Sequence, residues 1–260
     1  MATIDDSIRD DLKVSSPAEI EFLNLLVFGE PGAGKTHLAG TAQDHPKTSP
    51  VLVLDVEGGT TTLRHRPDID VIQVRSIEQI IAVHNDLVTK NNGYYRTVVI
   101  DSLTELQKLD LSDIMKELVQ RRPDRDPDVP DVREWGKTGV HMRKIVRHFR
   151  DLPMNTILTA LVDPYKDSTG SVVYYPNLPG KMRTELAGFF DVVGYLYTRP
   201  NEEGEESGQA IDRIIQFTGT QKVIAKDRTA TLGHYMENPT IPMMFDTIHS
   251  TNNGKGTAKK

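Results

Sequence analysis

A glycine-rich segment has the spacing of a phosphate-binding loop. The segment "GEPGAGKT" at residues 29–36 fits the pattern G-x-x-x-x-G-K-T. Its glycines allow tight turns that direct backbone N–H groups toward an anion. The pattern predicts that Lys35 reaches the β- and γ-phosphates and that the Thr36 hydroxyl binds Mg²⁺. We therefore expect ATP and Mg²⁺ as cofactors, and we expect these nucleotide-binding residues: Gly29, Glu30, Pro31, Gly32, Ala33, Gly34, Lys35, Thr36 and His37.

A second metal ligand is expected at the end of a buried strand. In P-loop proteins an Asp in that position helps to hold Mg²⁺. The apolar segment "TVVID" ends in Asp101, which therefore joins Thr36 as a predicted metal ligand. An alternative is that Asp101 caps the helix expected from about Leu103. The two roles are compatible.

Hydrolysis of ATP also needs a carboxylate that orients the attacking water. Many ATP-driven machines have Glu directly after the metal-binding Asp, but this chain has Ser102 there. Glu57 follows the apolar run "VLVLDV" and is expected at the carboxyl edge of the sheet, where ligands of open α/β sheets bind. The alternative is a solvated Glu in a turn before two glycines. The residues alone leave both open.

Apolar runs predict the strands and helices that position these residues. Buried strands are expected at 22–28, 51–56, 71–74, 97–101 and 156–162. Helical periodicity lies between them, which predicts a mostly parallel sheet with helices on both faces. A hairpin is expected within 163–180, and three further strands at 191–199, 210–217 and 222–228 form an antiparallel C-terminal extension.

Length and composition limit the alternatives. The 260 residues suffice for one large α/β domain with small additions. We expect an N-terminal extension at 1–20, an ATPase core at 21–232, a C-terminal segment at 233–250 and a disordered basic tail at 251–260. The absence of cysteine excludes disulfides and thiolate metal sites. No apolar run approaches the roughly 20 residues of a membrane helix, so we expect no membrane partner. The acidic, polar N-terminus is unlike a signal peptide, and together with the lack of cysteine it favours a cytoplasmic protein.

Three segments resemble the RecA superfamily of ATPases. They are "VLVLDVEGG", "VVIDSL" and "KVIAKDR". The resemblance implies a RecA-like P-loop core in which Glu57 orients water and Asp101 holds Mg²⁺. It also implies that Lys226 and Arg228 act on the γ-phosphate of a neighbouring subunit. The alternative for this basic pair is a surface charge cluster.

A narrower resemblance covers about residues 20–230. The segments "LLVFGEPGAGKTHLA", "VVIDSLTEL", "EWGK", "FRDLP", "PNLPGKM", "FDVVGYL" and "AKDR" together resemble phage-encoded RecA-like single-strand annealing proteins. The resemblance implies a Mg²⁺- and DNA-dependent ATPase that anneals or exchanges strands in phage recombination, in the host cytoplasm. Its implied partners are single-stranded DNA, further copies of itself in a filament or ring, and a single-strand-binding protein. We expect a minimal core with no further domain at either end.

Two segments correspond to the DNA-binding loops of RecA-like proteins. The segment 120–137 mixes arginines with aspartates and has no net positive field, consistent with the formal net charge of −6 for the whole chain. The segment 163–183 combines basic and aromatic residues, which can track phosphates and stack bases: Lys166, Tyr174, Tyr175, Lys181 and Arg183. The alternative is an ordinary hairpin whose tyrosines pack on the sheet. The tail residues Lys255, Lys259 and Lys260 could add a weak, salt-sensitive contact.

Two other function classes share the phosphate-binding loop. A small-molecule or nucleotide kinase usually adds an arginine-rich lid, but the dense aspartates of "QRRPDRDP" oppose clamping a polyanion. An AAA-type ATPase that does not act on DNA is the other alternative. The lack of Glu after Asp101 disfavours a ring-forming motor of that type.

Overall fold

The computed structural model describes residues 22–91, 93–166, 169–201 and 211–253. The predicted N-terminal extension 1–20, most of the acidic turn before residue 210 and the tail lysines lie outside these residues. The last helix runs to Asn253, three residues into the predicted tail 251–260.

Ten strands of the described chain form one mixed sheet. They are β1 Asn24–Gly29, β2 Val51–Asp55, β3 Asp70–Gln73, β4 Thr97–Asp101, β5 Asn155–Lys166, β6 Val172–Pro176, β7 Val192–Pro200, β8 Ile211–Gln216, β9 Lys226–Asp227 and β10 Tyr235–Glu237. The order is β10-β8-β7-β1-β5-β4-β2-β3, with β6 on β5 and β9 on β7. Strands β3, β2, β4, β5, β1 and β7 are mutually parallel, whereas β8, β9 and β10 pair antiparallel.

Helices cover both faces of the sheet. They are α1 Lys35–Gly40, α2 Ile77–Lys90, α3 Leu103–Arg121, α4 Val132–Arg150, α5 Met182–Glu185 and α6 Ile241–Asn253. Side chains of β1 alternate between two cores, as the two-residue period of a strand requires. Leu26 and Phe28 pack with α2, α3 and α4, whereas Leu25 and Val27 pack with α1 and α6. The predicted architecture is confirmed: an α/β fold with a mostly parallel sheet, helices on both faces and an antiparallel C-terminal extension.

Two expected strands differ from the structure, whereas the expected hairpin does not. The prediction that residues 71–74 form a buried strand is wrong, since β3 is the sheet edge and Val71 and Ile72 are 41% and 37% exposed. An apolar run does not reveal whether a helix will cover it. The predicted hairpin is present, with Val162–Lys166 antiparallel to Val172–Pro176. The expected strand at 222–228 shortens to β9, preceded by an isolated bridge between Tyr174 and Val223.

None of the described helices combines the length and the apolar character needed to span a bilayer.

Candidate functional site

The glycine-rich loop connects the end of β1 to α1 at the carboxyl edge of the sheet. Gly32 and Gly34 have φ angles of 80° and 100°, in the left-handed region that side chains rarely adopt. Gly29 meets a different demand, because a Cβ atom there would collide with the Leu196 carbonyl oxygen of β7. Two turns and one close backbone approach therefore require these three glycines.

Lys35 is held across the loop to which it belongs. Its side chain is buried, and Nζ donates to the carbonyl oxygens of Gly29 at 3.0 Å and Glu30 at 2.9 Å. Burial lowers the pKa of Lys35, and the nearby charges of Glu57, Asp101 and Glu30 partly oppose this. The ammonium group therefore lies in a partly dry site where the charges of three carboxylates act on it, and where it can meet a phosphate.

Backbone donors of the loop are free to bind an anion. The N–H groups of Lys35, Thr36 and His37 donate to no backbone acceptor in the described part of the chain. Such donors at the start of a helical turn lack an acceptor in the preceding turn. The predicted members Glu30, Pro31 and His37 are exposed at the loop surface. Burial and the positive charges of Arg213 and Arg66 lower the pKa of His37.

The two predicted metal ligands are in direct contact. Thr36 Oγ1 donates to Asp101 Oδ2 at 2.6 Å, although β4 and β1 are separated by β5 in the sheet. Asp101 is buried, and its other carboxylate oxygen accepts from Thr159 Oγ1 of β5. The alternative role of Asp101 as a helix cap is wrong, because Ser102 caps α3 by accepting from Glu105 N.

This donor set fits magnesium. Mg²⁺ prefers oxygen ligands and is usually held by one or two carboxylates together with water and substrate phosphates. Thr36 and Asp101 supply a hydroxyl and a carboxylate at one point. Within residues 22–91, 93–166, 169–201 and 211–253, no three His, Cys, Asp or Glu side chains form a metal cluster. Thr36 and Asp101 therefore suit a metal ion whose remaining ligands come from water and a bound phosphate.

Glu57 lies on a loop that is tied to the end of β4. The Val56 and Glu57 N–H groups both donate to the Asp101 carbonyl oxygen, at 2.8 and 3.2 Å. The Glu57 side chain is exposed, and its charge acts on Lys35. Asp55, which the sequence reasoning missed, is buried and accepts from the Gly58 and Gly59 N–H groups. The Glu57 carboxylate is exposed to solvent, and its charge acts on Lys35 of the phosphate loop. This geometry is compatible both with a Glu that orients water and with a solvated Glu in a turn.

Lys226 and Arg228 are not brought to the phosphate loop of their own chain. Strand β9 pairs with the beginning of β7, where Val193 opposes Lys226, whereas the phosphate loop leaves the opposite edge of the sheet. Lys226 Nζ donates to the Ala187 carbonyl oxygen at 2.5 Å. Arg228 pairs with Asp191 at 2.8 Å. Burial, aided by the charge of Arg228, lowers the pKa of Lys226. Both cations face the segment 187–191, and their action on a neighbouring subunit stays a prediction.

Part of the predicted DNA-binding set clusters on the hairpin. The Arg183 guanidinium lies 4.4 Å from the Tyr165 ring centroid and 5.3 Å from that of Tyr175. Arg183 also pairs with Asp163 at 3.5 Å. The cluster therefore presents aromatic faces together with a cation that is partly neutralised.

The other predicted DNA-binding residues lie apart from this cluster. Tyr174 stacks on Tyr195 of β7 with ring centroids 5.4 Å apart, which is the packing alternative for this tyrosine. Lys166 and Lys181 are exposed. The loop between α3 and α4 is internally paired, since Arg125 bonds Asp131 and Glu134.

Comparison with known proteins assigns the chain to a sequence family. Residues 21–229 match the sequence model of the family described as "AAA domain". No curated protein matches the chain significantly. A solved structure described as "Crystal structure of the RadB recombinase" has 16% sequence identity and a TM-score of 0.41. That alignment covers 75% of this chain and 81% of the other, and no argument about activity is based on it. Because the family match spans most of its length, the chain belongs to the AAA domain family.

Proposed function

We propose that the chain binds ATP with Mg²⁺ at the glycine-rich loop and hydrolyses it. The contact between Thr36 and Asp101 carries this proposal. The Thr36 hydroxyl and the Asp101 carboxylate are 2.6 Å apart, next to the loop that holds the buried Lys35, which supports a shared metal role. A phosphate-binding loop without a metal role would not need this contact between the start of α1 and the end of β4, which is not adjacent to β1 in the sheet.

Each residue then has a defined task. The loop N–H groups and Lys35 bind the β- and γ-phosphates, and Thr36 with Asp101 hold the metal. When bound, Mg²⁺ neutralises charge on the phosphate oxygens. Glu57 orients the water that attacks the γ-phosphate, from a loop tied to the carbonyl group of Asp101.

Paired carboxylate variants test this proposal. Asp101→Asn should abolish Mg²⁺-dependent ATP hydrolysis. Asp110→Asn is the matched control, because Asp110 is also buried but lies within α3, away from the loop. ATP binding is measured by calorimetry and turnover by phosphate release. A wild-type chain that binds no ATP, or wild-type turnover in Asp101→Asn, would overturn the proposal.

We further propose that the hairpin binds single-stranded DNA and that the chain, assembled with copies of itself, anneals or exchanges strands in phage recombination. The exposed Lys166 and Lys181 and the tyrosines around Arg183 support DNA binding, because cations track phosphates while rings stack bases. Strand β5 also links the two regions. Its Thr159 contacts Asp101, and its end forms the hairpin.

Salt dependence tests the DNA proposal. Replacing Lys166, Lys181 and Arg183 by Ala should flatten the slope of log affinity against log salt by about two units, at roughly 0.7 per phosphate contact. The control replaces three lysines that are ion-paired on α2 and α3: Lys90, Lys108 and Lys116. An unchanged slope in the hairpin variant would remove the hairpin from the DNA site.

Turnover separates the remaining function classes. Stimulation of ATP hydrolysis by single-stranded DNA is expected, and annealing of complementary strands is measured with and without a single-strand-binding protein. ATPase activity with no DNA effect would instead indicate an AAA-type ATPase that does not act on DNA. Phosphorylation of a small molecule or nucleoside would indicate a kinase.

A further inference from the structure

An arginine that sequence reasoning did not single out lies against the phosphate loop. In the β7–β8 ladder Thr198 opposes Arg213, whereas Leu196 opposes Gly29 across β1 and β7. Arg213 is therefore two residues beyond the level of Gly29, at the height of the loop. A Cβ atom built on Gly34 would lie 2.6 Å from Arg213 Nε and 3.0 Å from Cδ. The side chain thus packs directly on the loop.

The Arg213 guanidinium has no partner within the described parts of the chain. Its Nε is buried and makes no hydrogen bond, and no carboxylate pairs with it. Other arginines nearby are paired: Arg66 with Asp44, and Arg199 with Glu237. Arg213 as a residue is half-buried, but its buried Nε is a donor without a partner, which is costly. This arrangement favours an anion as the missing partner.

The position of Arg213 relative to Asp101 and Glu57 indicates which part of the nucleotide lies near Arg213. Asp101 on β4 and Glu57 after β2 lie on the β5 side of β1. Arg213 lies on the opposite side, on β8 beyond β7. If the terminal phosphates face Asp101, the remainder of the nucleotide leaves the loop toward β7 and β8. Because it rests on the proposed nucleotide binding, this orientation applies only to a nucleotide held as described above.

We propose that Arg213 binds the α-phosphate of the bound nucleotide. A guanidinium group forms strong, directional hydrogen bonds with phosphate oxygens. Arg213 then completes a cradle in which Lys35 meets the outer phosphates and Arg213 meets the innermost one. The same contact pins the loop at Gly34 once the nucleotide is present.

Calorimetry of ADP binding with Mg²⁺ tests the assignment. Arg213→Met keeps the length and apolar packing of the side chain but removes its donors. Its affinity for ADP should fall about 10–100-fold, as expected for the loss of one charge-assisted hydrogen bond. Arg199→Met is the matched control, because Arg199 is on the neighbouring strand and pairs with Glu237. It should bind ADP like the wild type.

A second probe locates the contact on the nucleotide. The probes are the two diastereomers of ADP with sulfur on the α-phosphate. The wild type should distinguish at least one of them from ADP, and Arg213→Met should not. Arg213→Lys keeps a charge without the planar fork, should retain part of the affinity, and keeps the test usable if Arg213→Met fails to fold.

The outcomes separate the two proposals. Wild-type affinity in Arg213→Met overturns the role of Arg213 and leaves nucleotide binding intact. Weakened ADP binding with unchanged discrimination between the sulfur diastereomers shows that Arg213 supports the loop rather than contacting the α-phosphate, which also overturns it. A wild-type chain that binds no ADP overturns both.

Discussion

Replacing Thr159 by Val tests whether Asp101 is positioned by a buried hydroxyl. Thr159 is fully buried and donates to the carboxylate oxygen of Asp101 that Thr36 does not use. A hydrogen bond to a charged group contributes about 1.5–3 kcal/mol, and its loss leaves a buried oxygen without a donor. At about 2–4 °C per kcal/mol for a chain of this size, the midpoint of thermal unfolding should fall by about 3–12 °C.

The same strand offers a matched control. Thr156 is also fully buried on β5, but its hydroxyl donates to the neutral Phe149 carbonyl oxygen at 3.0 Å. Thr156→Val should therefore cost only about 0.5–1.5 kcal/mol. Both variants are compared by urea and thermal unfolding without nucleotide. The stability loss common to both variants reflects the removal of a buried threonine hydroxyl. The additional loss in Thr159→Val reflects its hydrogen bond to the charged Asp101.

Magnesium dependence gives the functional readout. Partners that orient a metal ligand typically change metal affinity by about 10–100-fold when they are removed. Thr159→Val should therefore need correspondingly more Mg²⁺ for half-maximal ATP hydrolysis, while Thr156→Val should follow the wild type. Equal stability loss and equal Mg²⁺ dependence in the two variants would refute the reasoning.

Two further predictions concern catalysis. Glu57→Gln should bind ATP with Mg²⁺ but hydrolyse it more slowly by about 10²–10⁴-fold, as single-turnover phosphate release would show; near-normal turnover would remove Glu57 from the mechanism. Lys35→Ala and the double variant Lys226→Ala/Arg228→Ala should each be inactive alone and regain part of the ATPase activity when mixed, because some interfaces then join an intact loop to an intact basic pair. No recovery on mixing would mean that the pair only holds its own segment 187–191.

Local sequence carried enough information to predict the strands and the phosphate loop. Residues 51–56 and 97–101 read as buried strands because β2 and β4 lie inside the sheet and are covered on both faces. Asp101 could be predicted because it ends such a strand. The exposure of β3 could not, since Val71 and Ile72 have the composition of a buried strand but lie at the sheet edge.

Residues that depend on strand order escaped prediction. Thr159 contacts Asp101 because β5 lies next to β4 in the sheet. In the sequence, Thr159 is only a polar residue within the apolar run "TILTALV", and nothing local indicates its partner. Asp55 has a local signal, since the glycines that follow it suit a turn closed by its carboxylate. Arg213 has none, because its approach to Gly34 follows from the pairing of β7 with both β1 and β8.

A side chain at position 29 would collide with the neighbouring strand, which explains why the motif begins with glycine. The Leu196 carbonyl oxygen occupies the place where that side chain would begin. The neighbouring parallel strand β7 therefore requires glycine at position 29, whereas the path of the loop requires Gly32 and Gly34. A larger residue at 29 would push β7 away from β1, and β8, with Arg213, is held in the sheet through β7. A defect at this position would thus appear first as a loss of folding, before any nucleotide is added.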